Sequence, residues 1–485
     1  MTTNTQQPAK PSKLIKPNSF EPNNHWVNKG YEKPIDPVAK CFLKLDKPSI
    51  VRRYCMLNPM VSKEELETSL AYQPKYFVWA GADLMKVATK DGQKKMVLIE
   101  NNSCPSGQKY MPLVDEEQKY GGYRTFLERT FKRALNSTKV IQGELAVLYD
   151  KNPIEASGYA HAMADLFNEE VHYVSAYVDE KSPGFEFRDG VLHVFGEDQT
   201  WHPIRAAFRY VTQRPWNRLP ISPKTVIVNP SIVCLAGGRN KLLASKAYSS
   251  FNKELMDTGL AINTPLTICD VQRRDIPNWV AKFGGQAVIK VPYSNAGQGV
   301  YIIKNEEQLQ DFLNNNHPYE LYIVQELIGI REEGHEGVQR YTHIGTLPSE
   351  KGCVYVSDVR MMVSSSPTGL RPVGMYSRRA GRPIVDGLGE VSDHAEAFMT
   401  NLSFKNPDGT WNSDVDRMIR HDCHNFLQLG LGLDDLIEAY VQTVLSTIAI
   451  DKMAQALCDE NGQFSKEVFQ SLNNDSLLLS EIMNS

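Results

Sequence analysis

Leu145-Ala146-Val147-Leu148-Tyr149 is an apolar run of strand length. An amphipathic stretch from Ser157 to Asn168 follows it, and then a second strand-like run from Val171 to Val178. A strand, a helix and a strand in succession place the two strands side by side and parallel, with the helix on one face. That constraint predicts an α/β (α+β) chain with a parallel sheet in its second quarter. Elsewhere helix and strand patterns mix: Ser62 caps a helix with Glu65 three residues on, Met96-Val97-Leu98-Ile99-Glu100 reads as a strand, and residues 120–136 read as helical. Leu436, Tyr440, Val444 and Ile448 recur at helical spacing near the end.

These patterns divide the chain. Residues 1–35 are rich in Pro, Asn, Gln and Lys and poor in aliphatics, which predicts a disordered tail. Residues 36–137 form an N-terminal segment, 138–230 an α/β segment, 231–405 a glycine-punctuated core, and 406–485 a set of C-terminal helices. The formal net charge is -4 and no basic block stands out, which argues against nucleic-acid and membrane-surface partners. No apolar run approaches a membrane span of about 18 residues. Eight cysteines without a close pair read as free thiols, and with no apolar leader a cytoplasmic location is expected.

The chemistry gathers in 231–405. Gln286-Ala287-Val288-Ile289-Lys290 is a strand that ends in a lysine. The small-residue loop Ser294-Asn295-Ala296-Gly297-Gln298-Gly299 follows it and can bring backbone N–H groups close to an anion. It is neither a Walker sequence nor a dinucleotide fingerprint. Upstream, Gly237-Gly238-Arg239-Asn240-Lys241 opens a helix whose apolar stripe is Leu243, Ala247, Phe251 and Leu255, leaving Lys241 off the stripe. Downstream, Tyr322-Ile323-Val324-Gln325-Glu326-Leu327 is a strand entering a loop. Asp358 and Arg360 share one face of a further strand. Arg378-Arg379, Arg382 and Thr400-Asn401-Leu402 come after it. Near the N-terminus, Asp83 precedes a turn, and the returning strand carries Glu100 and Asn102 on one face, with Ile99 able to face the core. Three hard oxygen donors of this kind suit a magnesium ion beside a triphosphate. His421 and His424 read as helix surface and Cys104 as a packed thiol.

In that order and spacing the motifs of 240–402 resemble the ATP-grasp superfamily, which includes D-alanine–D-alanine ligase, the ribosomal-protein glutamyl ligase and glutathione synthetases. The metal-binding Asp and Glu-x-Asn, which end the usual ATP-grasp chain, stand here at Asp83, Glu100 and Asn102. That displacement resembles the circularly permuted type, such as eukaryotic glutathione synthetase and glutathionylspermidine synthetase. The resemblance implies that 36–137 carries permuted metal-binding strands, 138–230 a pre-ATP-grasp-like substrate domain, and 231–405 the nucleotide-binding core.

It also implies an enzyme: an ATP-dependent carboxylate–amine ligase that makes an amide or peptide bond through an acyl phosphate. ATP and Mg²⁺ are the expected cofactors, and a small carboxylate and amine, such as an amino acid or short peptide, the expected substrates; a homodimer is left open. Lys241 and Lys290, the 294–299 loop, and Gln325, Glu326 and Leu327 are expected to hold ATP, while Asp83, Glu100 and Asn102 hold the metal. Arg360 and Arg378 are assigned to the transferring phosphate, with Asp358 orienting Arg360 and Asn401 assisting. Ser103, Ser106, Arg209, Arg379 and Arg382 are assigned to substrate. Two alternatives remain: a phosphotransferase on the same nucleotide site, with Asp358 as its base, and a non-catalytic ATP-binding protein.

Overall fold

The structure is a computed structural model that describes residues 9–136, 140–212, 218–293, 299–317, 319–329, 340–392, 394–405 and 411–483. The chain is mixed α/β, and three sheets position the site.

The first sheet is built on the parallel strands that the strand–helix–strand pattern predicts. Strands β1 (Lys13–Ile15), β5 (Val171–Ser175), β4 (Glu144–Tyr149), β8 (Trp201–Tyr210), β7 (Val191–Phe195) and β6 (Phe185–Arg188) lie in that order, and β9 (Val226–Val228) pairs with β8. β4 is parallel to both β5 and β8, and the helix Pro153–Phe167 makes the crossover. In the second sheet, β10 (Thr267–Gln272), β13 (Leu321–Glu326), β11 (Ala287–Lys290) and β12 (Val300–Ile303) run antiparallel in that order.

The third sheet brings distant segments together. β2 (Trp79–Thr89) pairs with β3 (Lys94–Asn102) and β14 (Tyr341–His343), and also with β15 (Ser357–Ser366), which pairs with β16 (Gly369–Arg379). Strands from the first quarter of the chain are thus hydrogen-bonded to strands that follow some 250 residues later.

The helix Leu433–Ala456 packs behind this sheet. Sixteen of its 24 residues are buried, so it is a spine of the core rather than an amphipathic cover. Asp451 ties it to the entry of β2: its carboxylate accepts from the backbone N–H of Lys75, Tyr76 and Phe77 and from the Tyr72 hydroxyl at 2.7–3.1 Å. Ser62 caps its helix as read, accepting from the Glu65 N–H.

Two expectations are corrected. Residues 9–35 are not a disordered tail: β1 pairs antiparallel with β5, Phe20 and Trp26 are buried, and the Trp26 indole donates to the Met111 carbonyl at 2.9 Å. A segment poor in aliphatics is anchored here by single aromatics, each able to bury about 150–250 Å². The segment after 405 is not helical throughout either. Its described part begins with short strands at Trp411–Ser413 and Met418–Ile419, and the long helix starts only at Leu433. His421 accordingly sits at a buried turn, not on a helix surface. Among the described residues no helix is long and apolar enough to cross a membrane.

Asp451→Ala orphans three backbone N–H groups in a buried setting. It is expected to lower stability by about 3 kcal/mol or more, measurable as a fall in the urea midpoint at unchanged slope.

Candidate functional site

A cleft lies between the second and third sheets. Two adjoining cavities of about 200 and 100 Å³ make it up, and both are lined by Ile99, Glu100, Lys241, Pro265, Lys290 and Gln325.

The third-sheet wall is a row of charged side chains set by register. Glu100 stands opposite Asp83, Asp83 opposite Arg360, and Arg360 opposite Tyr376. One step along, Asp358 stands opposite Arg378. Arg360 grips Asp83 with two bonds of 2.6 Å, and Arg378 reaches the same carboxylate at 2.8 Å. Arg378 also holds Asp358 at 3.0 and 2.5 Å, where the Thr400 hydroxyl donates at 2.7 Å. Although burial opposes it, Arg360 and then Arg378 hold the Asp83 carboxyl down at about 2. Burial pushes Asp358 up despite Arg378. Arg360 is raised: burial is outweighed by Asp83.

Glu100 and Asn102 face the cleft because β3 carries a bulge. Asp83 pairs with Glu100 but Leu84 with Leu98, leaving Ile99 as the extra residue. Before the bulge, Met96 and Leu98 face the main core. After it the parity flips: Asn101 faces the helix Leu433–Ala456 and donates to Ser446 and Thr447 at 3.0 and 3.1 Å, while Glu100 and Asn102 turn to the cleft. Without the extra residue the carboxylate would point at the core. Ile99 is therefore at the cleft wall and not in the main core.

The opposite wall supplies the cations. Lys241 is the first residue of the helix Lys241–Glu254, capped by the Asn240 side chain on the Leu243 N–H. Its own N–H donates to the Pro292 carbonyl just past β11 at 2.9 Å, which ties it to the strand of Lys290. Its ammonium lies 3.6 Å from Glu100, and that charge, against burial, lowers the Glu100 carboxyl. Lys290 is 6% exposed; burial, then repulsion by Lys241, bring its ammonium down to about 8. Lys246 turns away, to Asp270 at 2.9 Å and the Leu472 carbonyl at 2.6 Å. Among the described residues the two cavities are lined by the cations Arg239, Lys241, Lys290, Arg340 and Arg378 and the carboxylates Asp83, Glu100, Glu326 and Asp358, a positive balance that suits an anion in the cleft.

The far end of the cleft is apolar, with Val288, Ile302, Leu327, Ile328 and Met399 around it. Gln325 lines it and donates to Thr267 at 2.8 Å. Glu326 accepts from the Leu266 and Arg340 N–H groups, and Asn401 also lines this end. Ser294, Asn295, Ala296, Gly297 and Gln298 lie outside the described residues; Gly299 follows at φ 64° and its carbonyl accepts from Val291.

Several assigned residues have other duties. Asp83 has both oxygens engaged by arginines, so in this structure it braces the wall. Asp358 orients Arg378 rather than Arg360, because Arg378 is its cross-strand partner. Arg209 is buried and spends its guanidinium on the carbonyls of Asn229 and Val211. Arg379 points to the opposite side of β16 from Arg378 and stacks on Tyr355 at 4.6 Å. Arg382 is an exposed pair with Glu396. Ser103 is buried against Cys234 and Gly238, and the Ser106 hydroxyl bonds Asn152 and Glu155.

Residues not singled out complete the surroundings. Arg239 lines the larger cavity and donates to Asn102 at 3.3 Å and the Cys104 carbonyl at 3.2 Å. Fully buried Glu155 accepts from the Gly107 and Gln108 N–H groups. Gly107, at φ 143°, leaves room for Tyr376; a Cβ there would lie 2.1 Å from the ring. Arg239 beside Gly237-Gly238 was the one visible signal. Glu155, in the first turn of a helix, offered none.

No family model matches the chain, and no curated protein matches it. Among solved structures it is similar to a glutathione synthetase-like effector of Globodera pallida, at 11% identity over 68% of this chain and 81% of that chain, with a TM-score of 0.40. It is also similar to D-alanyl-alanine synthetase A of Vibrio cholerae, at 10% identity over 63% and 98%, with a TM-score of 0.32. A RimK domain ATP-grasp protein of Sphaerobacter thermophilus matches at 14% identity over 48% and 90%, with a TM-score of 0.30.

Two outcomes are expected. With ATP as a polyphosphate probe, affinity is highest below pH 8, where Lys290 is protonated, and falls as the pH rises through about 8. Lys290→Arg removes that fall, because a guanidinium keeps its proton; calorimetry on both sides of pH 8 reads it. Arg382→Ala, at an exposed pair, leaves stability within about 0.5 kcal/mol and leaves ATP affinity unchanged.

Proposed function

We propose that the protein is an ATP-dependent carboxylate–amine ligase of the circularly permuted ATP-grasp type. The observation that carries this reading is the meeting of Glu100 on β3 with Lys241 and Lys290 around one cleft. A triphosphate suits the cations on this cavity wall.

The apolar end between Val288, Ile302 and Leu327 takes the adenine, and Gln325 with the Glu326–Leu327 backbone reads its edge. Lys241 and Lys290 neutralise phosphates. Glu100 and Asn102 offer a carboxylate and an amide oxygen from one strand face. Mg²⁺ takes one or two protein ligands beside phosphate and water oxygens, which Glu100 and Asn102, with Asp83 opposite Glu100, can supply. When bound, the ion supplies charge neutralisation at the transferring phosphate.

A substrate carboxylate attacks the γ-phosphorus and ADP leaves; an amine then attacks the acyl carbon of the acyl phosphate, phosphate departs, and the amide remains. Phosphoryl transfer of this kind asks for position and charge more than for a base. Arg378, at the cleft wall, stabilises the transferring group, and Asp83 and Arg360 hold that wall in register.

A phosphotransferase would need Asp358 as its base. That carboxylate has its oxygens bound by Arg378 and Thr400, which weighs against it.

Pools of amino acids and amines decide among these readings. ADP and phosphate should appear only when an acid and an amine are both present, and Glu100→Ala should abolish that release while Lys290→Ala abolishes nucleotide binding. Turnover with a lone alcohol acceptor would establish the phosphotransferase, and binding without turnover under every pool the non-catalytic protein. Full activity of Glu100→Ala would overturn the permuted site.

A further inference from the structure

A second cluster lies on the first sheet, outside the cleft. Glu144, His172 and His202 come from the adjacent strands β4, β5 and β8, at the first or second position of each. Their donor atoms lie within 4.8 Å of one another. His172 Nε2 is 2.6 Å from one Glu144 oxygen and His202 Nδ1 is 3.0 Å from the other.

The outer ring nitrogens are also held. His172 Nδ1 is 2.7 Å from the Ser12 hydroxyl, and His202 Nε2 is 3.0 Å from the Asp198 carboxylate. Held outer nitrogens fix both ring orientations and aim the inner nitrogens at one point. That arrangement is how histidine ligands are oriented around a metal.

We propose that Glu144, His172 and His202 bind a zinc-class divalent ion. Two imidazoles and one carboxylate are zinc donors rather than magnesium donors. Bonds of about 2.0–2.2 Å to a tetrahedral ion set donor atoms roughly 3.3 Å apart. The two histidine–carboxylate spacings of 2.6 and 3.0 Å widen by under about 1 Å to reach that, and the widest donor spacing, at most 4.8 Å, closes by up to about 1.5 Å, with the ion taking the place of the shared protons. His172 is 3% exposed, His202 23% and Glu144 46%, so the ion enters from the Glu144 side and keeps a water there.

The place in the sheet indicates the role. Ligands of open parallel sheets bind at the carboxyl ends of the strands. Those ends of β4 and β8, at Asp150 and Arg209, are the ones beside Cys104 and the cleft. The cluster sits at the amino ends. The ion therefore clamps β4, β5 and β8 and, through Ser12, the N-terminal strand, and takes no part in the reaction at the cleft.

The full-length chain, stripped with chelator and held in excess MgCl₂, is titrated with ZnCl₂ in a calorimeter. One tight zinc equivalent is expected in the wild type and is lost, with at least a hundredfold fall in affinity, in Glu144→Gln and His202→Asn. Asp198→Asn, which leaves every ligand in place, should weaken zinc by about 10–100-fold. Cobalt should give four-coordinate ligand-field bands in the wild type only. Wild-type stoichiometry and affinity in the Glu144→Gln/His202→Asn double variant, or no zinc uptake by the wild type, would overturn the site. Circular dichroism of the metal-free variants shows that each is folded.

Discussion

The site rests on one buried lattice of charge: Asp83 and Asp358 interleaved with Arg360 and Arg378 across β2, β15 and β16. Burying four ionised groups costs several kcal/mol each, and their mutual attraction returns that only when geometry is good and every oxygen is engaged. Here the geometry is bidentate on both carboxylates. Such a lattice is a poor source of net stability, but a slip of one residue between β2 and β15 would part Asp83 from both arginines and leave Arg360 without its carboxylate. Its value is register. Because β3 is hydrogen-bonded to β2, the same register fixes where Glu100 stands, and the cleft inherits its geometry from ion pairs behind it.

The bulge at Ile99 is the second half of that arrangement. The main core claims Met96 and Leu98 on one parity of β3, and the helix Leu433–Ala456 claims Asn101 on the other. A regular strand cannot satisfy both and still present Glu100 and Asn102 outward. One extra residue resolves the conflict locally, at the cost of a broken ladder. The turn after β3 is packed just as tightly: a Cβ at Gly238 would lie 2.4 Å from Ser103, and one at Gly107 2.1 Å from Tyr376. The loop between Asn102 and Gly107 is held by backbone contact, and the side chains around the cleft have little room to rearrange.

What was legible in the sequence was local. The Ser62 cap, the Lys241 helix start and the Lys290 strand end each declare themselves within a dozen residues, and the β4–helix–β5 crossover declares itself in one unbroken stretch, Glu144 to Ser175. What was not legible depended on partners far along the chain. Arg360 reads as a free cation until β2 comes alongside and offers Asp83, 277 positions away. Arg209 reads the same until the Asn229 carbonyl takes it. The parity of β3 could not be read because a bulge leaves no mark on a hydrophobic pattern. The N-terminal segment misled for a different reason: composition averages over residues, whereas burial there is concentrated in Phe20 and Trp26.

The two ends of the first sheet then divide the labour. At the carboxyl ends, Arg209 at β8 bonds the Asn229 and Val211 carbonyls, and Asp150 after β4 accepts from the Thr212 N–H and from the Arg218 guanidinium, each at 2.8 Å. These bonds leave the Cys104 turn backed by rigid strand ends, and burial raises its thiol to about 11. A thiol so placed is a packing group rather than a nucleophile. Chemistry at this end therefore falls to the charged groups across the turn, on β3 and the helix start. The polar cluster at the amino ends is free of any duty to the cleft, and strand order alone brings its three side chains together. A parallel sheet offers that convergence wherever neighbouring strands begin with polar residues.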